Sequence, residues 1–334
     1  MIDQVLKSAY CEAMLKKLAL IAILAGICTA LFLWAVNSKS QNNKTTENED
    51  LLSIVTTTTM VTDMVKTIGG DRVSVVGMMG AHVDPHSYQV TFSDTAALKK
   101  AELIFYSGHH LEGKMQDTLE KRAANKGGVF AVTDGIPDEL LLKPQEEFKG
   151  YYDPHIWGNP ELWANCVSIV VEALVEADPE GEEGYRARGQ SYHSEIIALH
   201  KWAEKRITEI PKNQRVLVTS HDAFFYFGKA FDFEVRGLQG ISTNSESGLK
   251  DRANLVSFIK ERQLKTIFPE SSVNAKGIKA VANEAGVAVS EHELFSDAMG
   301  EPGDTVTLHG ETYDKGTFIG MIKHNVNTVV DGLK

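Results

Sequence analysis

The chain has 334 residues, 43% of them hydrophobic and 24% charged, and its formal net charge at pH 7 is -11. A single hydrophobic core stops growing below this length, so the length predicts two lobes. The acidic balance argues against nucleic-acid binding, because no stripe of Lys and Arg is present to neutralise phosphates. It is compatible with the collection of cations.

The cysteines exclude one large class of metal site. Cys11, Cys28 and Cys166 lie far apart and form no C-x-x-C pair. This spacing rules out a zinc site built from thiolates and a disulfide framework. Any metal bound by this chain must therefore be held by histidine and carboxylate side chains.

An apolar segment near the N-terminus, residues 18–36, carries no charge and follows two lysines. At ~1.5 Å per residue, a helix of this length nearly spans the hydrocarbon core of a bilayer. We therefore predict that residues 1–37 are a signal peptide or a membrane anchor, and that the protein works in the periplasm or an equivalent extracytoplasmic space. The length favours an uncleaved anchor. Lipid modification of Cys28 has little support, because a lipid-modified cysteine normally follows a small residue and Cys28 follows Ile27.

Residues 38–50 lack apolar side chains and are predicted to form a polar tether. From residue 51 onward, β-rich runs alternate with helical patterns, which is typical of parallel sheets covered by helices. Residues 51–182 are predicted to form an N-terminal α/β lobe. Its predicted strands cover 51–58, 72–77, 103–106 and 129–132. One predicted helix ends near residue 64, and another covers 93–100.

A second series of the same kind starts after residue 211 and predicts a C-terminal α/β lobe over 212–334. Between the two series, residues 183–210 show helical periodicity with few breakers, and Pro211 ends the pattern. We interpret residues 183–211 as a linking helix. The predicted fold class is therefore α/β, with two lobes that each contain a mainly parallel sheet flanked by helices and are joined by one long rigid helix.

The tripeptide Asp-Pro-His occurs twice, at 84–86 and 153–155, each time where an apolar run gives way to a loop. Proline fixes its own φ and pushes the preceding residue toward extended geometry, so each tripeptide forms a stiff turn. Such turns hold the imidazoles of His86 and His155 in fixed places, as a metal site requires.

His221 and Asp297 occupy the same kind of position in the second lobe, at the end of a predicted strand or in the loop beyond it. Parallel α/β sheets place their ligands at this edge. Two candidates from each lobe predict a site in the cleft between the lobes, and three imidazoles with one carboxylate suit Zn²⁺, Mn²⁺ or Fe²⁺. Histidine and aspartate are common at strand ends, so spacing alone leaves the assignment open.

The remaining histidines are interpreted as structural or surface residues. His193 and His200 share one face of the linking helix and are predicted to be solvated rather than bound to metal. No pattern favours a ligand role for the others, which are His82, His109, His110, His292, His309 and His324.

Six short motifs occur along the chain in a distinctive order. They are GAHVDPH at 80–86, HLEGKM at 110–115, DPHIW at 153–157, SHDAF at 220–224, GLQGIST at 237–243 and LFSDAMG at 294–300. In this order they resemble the motifs of the periplasmic zinc- and manganese-binding solute-binding proteins of ABC importers, the cluster A-I family. The resemblance runs from about residue 51 to the C-terminus.

The resemblance implies that the metal lies between the lobes, with His86, His155, His221 and Asp297 as its ligands. It implies that the chain captures Zn²⁺ or Mn²⁺, and by the same donor set Fe²⁺, as cargo, and delivers it to an ABC permease with its ATPase. We expect a monomer that is tethered to the membrane by its N-terminal segment and does not bind nucleic acid.

Two features bear on the choice of metal. Some members of the family carry Glu where this chain has His221, and the His-bearing pattern is similar to the treponemal branch. Members dedicated to zinc often have a long loop rich in His and Asp in the first lobe, whereas residues 143–153 of this chain contain no histidine. The sequence therefore does not indicate strict dedication to zinc.

Two further residues are candidates for supporting roles. Glu270 is a candidate to accept a hydrogen bond from a ligating imidazole, with a surface carboxylate as the alternative interpretation. Trp157, two residues after His155, is interpreted as a packing anchor. If Asp297 binds through both oxygens, three nitrogens and two oxygens leave no position for a reactive water, so we predict binding without catalysis.

Two alternatives from other classes stay open at this point. A metal-dependent hydrolase would use the same histidines with Glu270 or Asp222 as base, although no HExxH motif is present and the adjacent residues Ser220, His221 and Asp222 cannot form a triad on an extended segment. A surface adhesin is compatible with the tether, but no repeat or exposed apolar run favours it.

Overall fold

The structure, a computed structural model, describes residues 51–143, 150–245 and 247–334. The predicted signal peptide or anchor and the predicted tether lie outside the described residues, as do residues 144–149 of the histidine-free stretch. Among the residues that are described, no helix is both long and apolar enough to cross a membrane.

Four parallel strands form the sheet of the first lobe: β1 (Leu52–Thr56), β2 (Val73–Gly77), β3 (Leu103–Tyr106) and β4 (Val129–Ala131). Their order is β2-β1-β3-β4, and every pairing is parallel. The β-branched residues of β1 and β2 suit a pleated, half-buried surface. Because the strands are parallel, their carboxyl ends lie along one edge of the sheet, and the connecting segments at that edge carry the candidate ligands of this lobe.

Helices cover this sheet and connect its strands. Helix α1 begins at Thr59 because the Thr58 side chain accepts a hydrogen bond from the Val61 amide, and α2 begins after a capping box formed by Thr91 and Asp94. The helices of this part of the chain are α1 (Thr59–Gly69), α2 (Phe92–Lys100), α3 (Gln116–Lys126), α4 (Pro160–Asn165) and α5 (Val167–Ala177).

A single helix of 26 residues, α6 (Glu182–Ile207), follows. The sequence pattern placed the end of this element at residue 210, whereas the helix ends at Ile207 and a short turn leads to Pro211. Acidic residues in the first turn and Lys205 and Arg206 in the last turn complement the helix dipole.

The second lobe also contains parallel strands flanked by helices. Its elements are β5 (Val216–His221), α7 (Phe225–Phe231), β6 (Glu234–Gln239), α8 (Leu249–Glu261), β7 (Thr266–Ile267), α9 (Lys276–Ala285), β8 (Ala288–Val289), the antiparallel hairpin β9 (Thr305–Leu308) and β10 (Glu311–Asp314), and α10 (Phe318–Leu333). The parallel pairs β5-β6 and β7-β8 are joined by a hydrogen bond from the Phe268 amide to the Val218 carbonyl at 2.9 Å. Strands β5 and β6 are longer than those of the first sheet, and β7 and β8 are shorter. The predicted α/β class is confirmed.

Helix α6 packs against α1 of the first lobe and α10 of the second. One hydrophobic cluster contains Met64 from α1, Ile196 and Ala203 from α6, and Met321 and Val326 from α10, all fully buried. The two lobes therefore share a continuous core through the long helix, so a wide separation of the lobes would expose apolar side chains to water.

The prediction that His200 is solvated is wrong. His200 is buried, its ring stacks on Phe231 with the centroids 5.2 Å apart, and its Nε2 lies 3.7 Å from a carboxylate oxygen of Glu204. The helix is covered on more than one side, so a polar residue on it can lie beneath a neighbouring aromatic ring. His193, on the same helix, is exposed.

Candidate metal centre

Four side chains from different segments converge at the carboxyl edges of the two sheets. His86 lies in the loop between β2 and α2, and His155 precedes a 3-10 turn at Ile156–Gly158. His221 is the last residue of β5, and Asp297 lies in the segment between β8 and β9. Parallel topology brings these segments together, because each follows the carboxyl end of a strand or a neighbouring turn.

The four side chains form a compact and buried cluster. One potential ligand atom from each of His86, His155, His221 and Asp297 lies within 4.8 Å of the others. The Nε2 atoms of His86 and His155 are 3.2 Å apart, and the two Asp297 oxygens lie 3.3 Å from His155 Nε2 and 3.2 Å from His221 Nε2. Two atoms that each lie ~2.1 Å from a tetrahedral zinc ion are ~3.4 Å apart, so the spacing is that of donors around one ion.

The cluster is short of hydrogen bonds, although all four residues are at most 1% exposed. Both oxygens of Asp297 and the Nε2 atom of His221 are buried and make no hydrogen bond of good geometry, although each oxygen lies within 3.3 Å of an imidazole nitrogen. Leaving such groups unsatisfied costs free energy, and a bound cation is one way to satisfy them. In the part of the chain that the structure describes, no other group of three or more His, Cys, Asp or Glu residues meets the same distance limit.

Asp153 orients the imidazole of His155. Its Oδ1 lies 2.8 Å from His155 Nδ1 and also accepts a hydrogen bond from the His155 amide at 2.9 Å. Burial would lower the pKa of His155, but Asp153 and Asp297 together raise it to about 9. The carboxylate of Asp153 therefore directs Nε2 toward the centre of the cluster, as outer carboxylates do for metal-bound histidines.

Glu270 has the same relation to His221. Its Oε2 lies 2.5 Å from His221 Nδ1, and its Oε1 accepts a hydrogen bond from the His221 amide at 2.8 Å. Burial would lower the pKa of His221, but the negative charges of Asp297 and Glu270 raise it well above its usual value. Glu270 is 1% exposed and follows β7, so its position is set by the sheet.

His86 is held through its backbone rather than through its ring. The Asp84 side chain accepts a hydrogen bond from the His86 amide at 2.9 Å, and Asn244 of the second lobe donates to the His86 carbonyl at 3.0 Å. Burial lowers the pKa of His86 to about 4, and the neighbouring His155 and His221 act in the same direction. This imidazole is therefore neutral at physiological pH and ready to bind a cation.

Asp297 supplies the negative charge at the centre. Burial would raise its pKa, but the charges of His221 and His155 hold it well below its usual value. Trp157 holds the segment that contains Asp297, because its indole N–H donates to the Ser296 carbonyl at 2.7 Å. The Trp157 ring also lies edge-on to His155, with the ring centroids 5.3 Å apart. Trp157 thus connects a ligand segment of the first lobe to one of the second.

Asp222, the other candidate base, lies outside the cluster. Its Oδ1 accepts a hydrogen bond from the Gly237 amide at 2.6 Å, and burial raises its pKa to about 6. The remaining histidines also lie outside the group. His324, for example, bonds the Glu293 carbonyl at 3.0 Å and packs on Phe295.

Three supporting residues were missed from the sequence. Asp84 and Asp153 were treated only as parts of stiff turns, yet each accepts a hydrogen bond from the amide of the histidine two residues later. An aspartate that bonds the backbone amide two residues later is a recognisable turn signal, so these roles of Asp84 and Asp153 could have been found from the sequence. Asn325, which bonds both the amide and the carbonyl of Phe295, has no local signal, because it lies 30 residues away on α10.

Residues 54–332 match the family described as ZnuA, the periplasmic component A of a zinc-uptake complex. The chain is 42% identical over 287 residues to the manganese-binding lipoprotein MntA of Bacillus subtilis (strain 168), covering 85% of this chain and 90% of that protein. It is 38% identical over 284 residues to the zinc-binding protein TroA of Treponema pallidum (strain Nichols), covering 84% of this chain and 88% of that protein.

Solved structures show the same architecture. The periplasmic zinc-binding protein TroA from Treponema pallidum superposes with a TM-score of 0.78 at 38% identity, covering 84% of this chain and 98% of the TroA chain. The predicted arrangement of two α/β lobes is thus the fold of these metal-binding proteins.

Proposed function

Because the chain belongs to the ZnuA family of periplasmic metal-uptake components, we propose that His86, His155, His221 and Asp297 bind its cargo. The protein is a metal-binding solute-binding protein that captures a divalent metal ion and delivers it to an ABC transporter. The proposed ligand set gives each lobe two donors, so capture of the ion would join the lobes at their carboxyl edges.

The observation that carries the proposal is the set of buried donors within 4.8 Å, with both Asp297 oxygens making no hydrogen bond of good geometry. Three imidazole nitrogens and a carboxylate suit Zn²⁺, Mn²⁺ and Fe²⁺ alike. We propose Zn²⁺ or Mn²⁺ as the cargo, since one relative is named for manganese and another for zinc. The Irving–Williams order favours zinc over manganese at such a site, so affinity in solution does not identify the physiological metal.

We propose further that no substrate is turned over at this site. A hydrolase would need a free base near a metal-bound water. Both oxygens of Glu270 already accept hydrogen bonds from His221, and Asp222 is bonded to the Gly237 amide. These contacts argue against the hydrolase alternative, and the family membership favours metal uptake over adhesion.

Delivery requires partners that are separate chains. We propose that the loaded protein, a monomer held outside the cytosol by its N-terminal segment, docks on an ABC permease that works with an ATPase. Lipoproteins among the relatives support membrane attachment. The N-terminal segment of this chain lies outside the described residues, and its processing remains a sequence prediction.

The test is elemental analysis of the protein purified from its native membrane. We expect one transition-metal ion per chain and its loss in the His221→Ala variant. His193→Ala removes an exposed histidine from α6 and serves as the matched control, because it should retain the metal. Full metal content in His221→Ala would refute the ligand assignment.

A further inference from the structure

His86 differs from the other two proposed histidine ligands in how it is held. Asp153 orients the ring of His155, and both residues belong to the first lobe. Glu270 orients the ring of His221 in the same way within the second lobe. Among the described residues, no carboxylate oxygen forms a hydrogen bond with the ring of His86, whose one such contact is to His155 Nε2. The position of His86 therefore depends on contacts to its backbone.

A loop of the other lobe holds this backbone. The loop, residues 240–245, follows β6. The Thr243 hydroxyl donates to Oδ2 of Asp84 at 2.6 Å, and Oδ1 of Asp84 accepts a hydrogen bond from the His86 amide at 2.9 Å. The Asn244 side-chain amide donates to the His86 carbonyl at 3.0 Å. Thr243 and Asn244, which we call the latch, therefore reach both the amide side and the carbonyl side of this proposed ligand.

The loop itself aims the latch at the first lobe. Ser242 Oγ accepts hydrogen bonds from the Asn244 backbone amide at 3.3 Å and from the Asn244 side-chain amide at 3.1 Å. Ser242 uses one hydrogen of this side-chain amide, which leaves the other hydrogen for the His86 carbonyl. The donor is therefore oriented before it meets the opposite lobe.

The latch is open to water, unlike the shared core of the two lobes. Thr243 is half-buried and Asn244 is exposed, so water can replace the hydrogen bonds that they make. The core around α6 is fully buried, and opening it would expose Met64 and Val326. Segments with exposed hydrogen bonds open more readily than a packed core. We therefore expect the latch to open while the core stays closed.

His86 can leave the cluster without disturbing the other proposed ligands. Asp297 lies between the other two histidines, with its oxygens 3.3 and 3.2 Å from their Nε2 atoms. His86 instead lies in residues 78–91, the segment between β2 and α2, which contains no helix or strand. The bond from the His86 amide to Asp84 lies within this segment and moves with it. Once the latch opens, the turn that carries His86 is free to withdraw as a unit.

If the proposed ligand set holds, we infer that Thr243 and Asn244 set the rate at which the bound metal is released. While both bonds are made, they keep His86 in the coordination sphere. When they break, the turn withdraws and the ion keeps only three protein ligands. Water then takes the position of the lost imidazole, and the ion leaves more readily. The latch acts through His86, so its members are positioning residues and not ligands.

Matched substitutions separate the hydrogen bonds of the latch from the shape of its loop. Thr243→Val removes the hydroxyl and keeps the volume of the side chain, whereas Thr243→Ser keeps the hydroxyl. Asn244→Ala removes the second donor at an exposed position, where the fold does not depend on the side chain. Ser245→Ala is the control in the same loop, because Ser245 is exposed and its side chain makes no hydrogen bond within the described part of the chain.

The experiment is stopped-flow release of Zn²⁺ from the loaded full-length chain into an excess of chelator dye, with association measured separately. We expect Thr243→Val and Asn244→Ala each to raise the dissociation rate constant by about fivefold, and the double variant by about twentyfold, because each substitution removes one hydrogen bond. Association rate constants should change by less than about twofold. Thr243→Ser and Ser245→Ala should release zinc at the rate of the unaltered chain.

Release at the unaltered rate from both Thr243→Val and Asn244→Ala would overturn the latch. Equally fast release from Thr243→Ser or Ser245→Ala would also overturn it, because the cause would then be a general loosening of the loop. A loss of affinity that comes from slower association alone would do the same. Absence of zinc binding by the unaltered chain would instead overturn the proposed function itself.

Discussion

Glu270 holds His221 at two points, accepting one hydrogen bond from the ring nitrogen Nδ1 at 2.5 Å and another from the backbone amide at 2.8 Å. The carboxylate comes from the segment after β7, and the histidine ends β5. The neighbouring strands of one sheet therefore fix both the position and the ring orientation of this proposed ligand. Asp153 fixes His155 in the same two ways.

We predict that Glu270→Gln weakens metal binding by about 10- to 100-fold, the usual effect of removing an outer carboxylate from a metal-bound histidine. The glutamine side chain has the same size as glutamate but lacks its negative charge, so it makes the His221 ring a weaker ligand. Isothermal titration with Zn²⁺ and Mn²⁺ measures the change. Glu291→Gln, on an exposed residue, is the control. Equal affinity in the two variants would contradict the role of Glu270.

We predict that metal binding releases protons and strengthens as pH rises toward 9. In the absence of metal, the pKa of His155 is raised to about 9 and that of His221 also lies above its usual value, so both rings carry protons at neutral pH that the ion must displace. Titrations in buffers of different ionisation enthalpy measure the released protons. Binding that neither releases protons nor depends on pH between 6 and 9 would rule this out.

The folding stability of the metal-free protein should show the opposite pH dependence and fall as pH rises. A histidine whose pKa is raised in the folded state contributes stability that is present below its unfolded value of about 6.5 and is lost as pH rises through the folded value, about 9 for His155. Stability without metal should therefore fall across this window. Denaturant unfolding of chelator-treated protein at a series of pH values measures it.

Chelation should lower the melting temperature. An ion bound only by the folded state stabilises it by ~4 kcal/mol when free metal is a thousandfold above the dissociation constant. We expect this shift in the unaltered protein and its loss in the His86→Ala, His155→Ala double variant. A melting temperature that is unchanged after verified metal removal would count against the site.

The sequence predicted most of what depends on local patterns. The proline turns at His86 and His155 and the strand end at His221 are local features, and the alternation of strands and helices predicted the two sheets. Outside the proposed ligands and Glu270, it did not predict contacts between distant segments. His200 lies under Phe231 because α6 is covered by other helices, and the bond from Trp157 to Ser296 spans 139 residues. The hairpin β9-β10 was missed because only one residue of its strands is buried and they contain no run of apolar residues.

The core offers a prediction that is independent of metal. The Tyr192 hydroxyl on α6 donates to the half-buried Asp63 on α1 at 2.7 Å. Tyr192→Phe should lower the free energy of unfolding by about 1–3 kcal/mol, because the carboxylate loses a partner. Burial raises the pKa of Asp63 and the Tyr192 bond opposes this, so the penalty should be larger at pH 7 than at pH 4. A penalty that is the same at both pH values would contradict the assignment.

Trp157 should stabilise the bound state by connecting the lobes. Its indole N–H donates to the Ser296 carbonyl beside Asp297, at 2.7 Å. Trp157→Phe keeps an aromatic ring next to His155 but removes this bond, so we expect about a fivefold to tenfold loss of zinc affinity, corresponding to ~1 kcal/mol for one buried hydrogen bond. Trp202→Phe is the control, because the Trp202 indole donates to Glu311 at 3.2 Å, outside the ligand cluster. If both variants lose the same affinity, the effect is general destabilisation and the connection through Ser296 does not position Asp297.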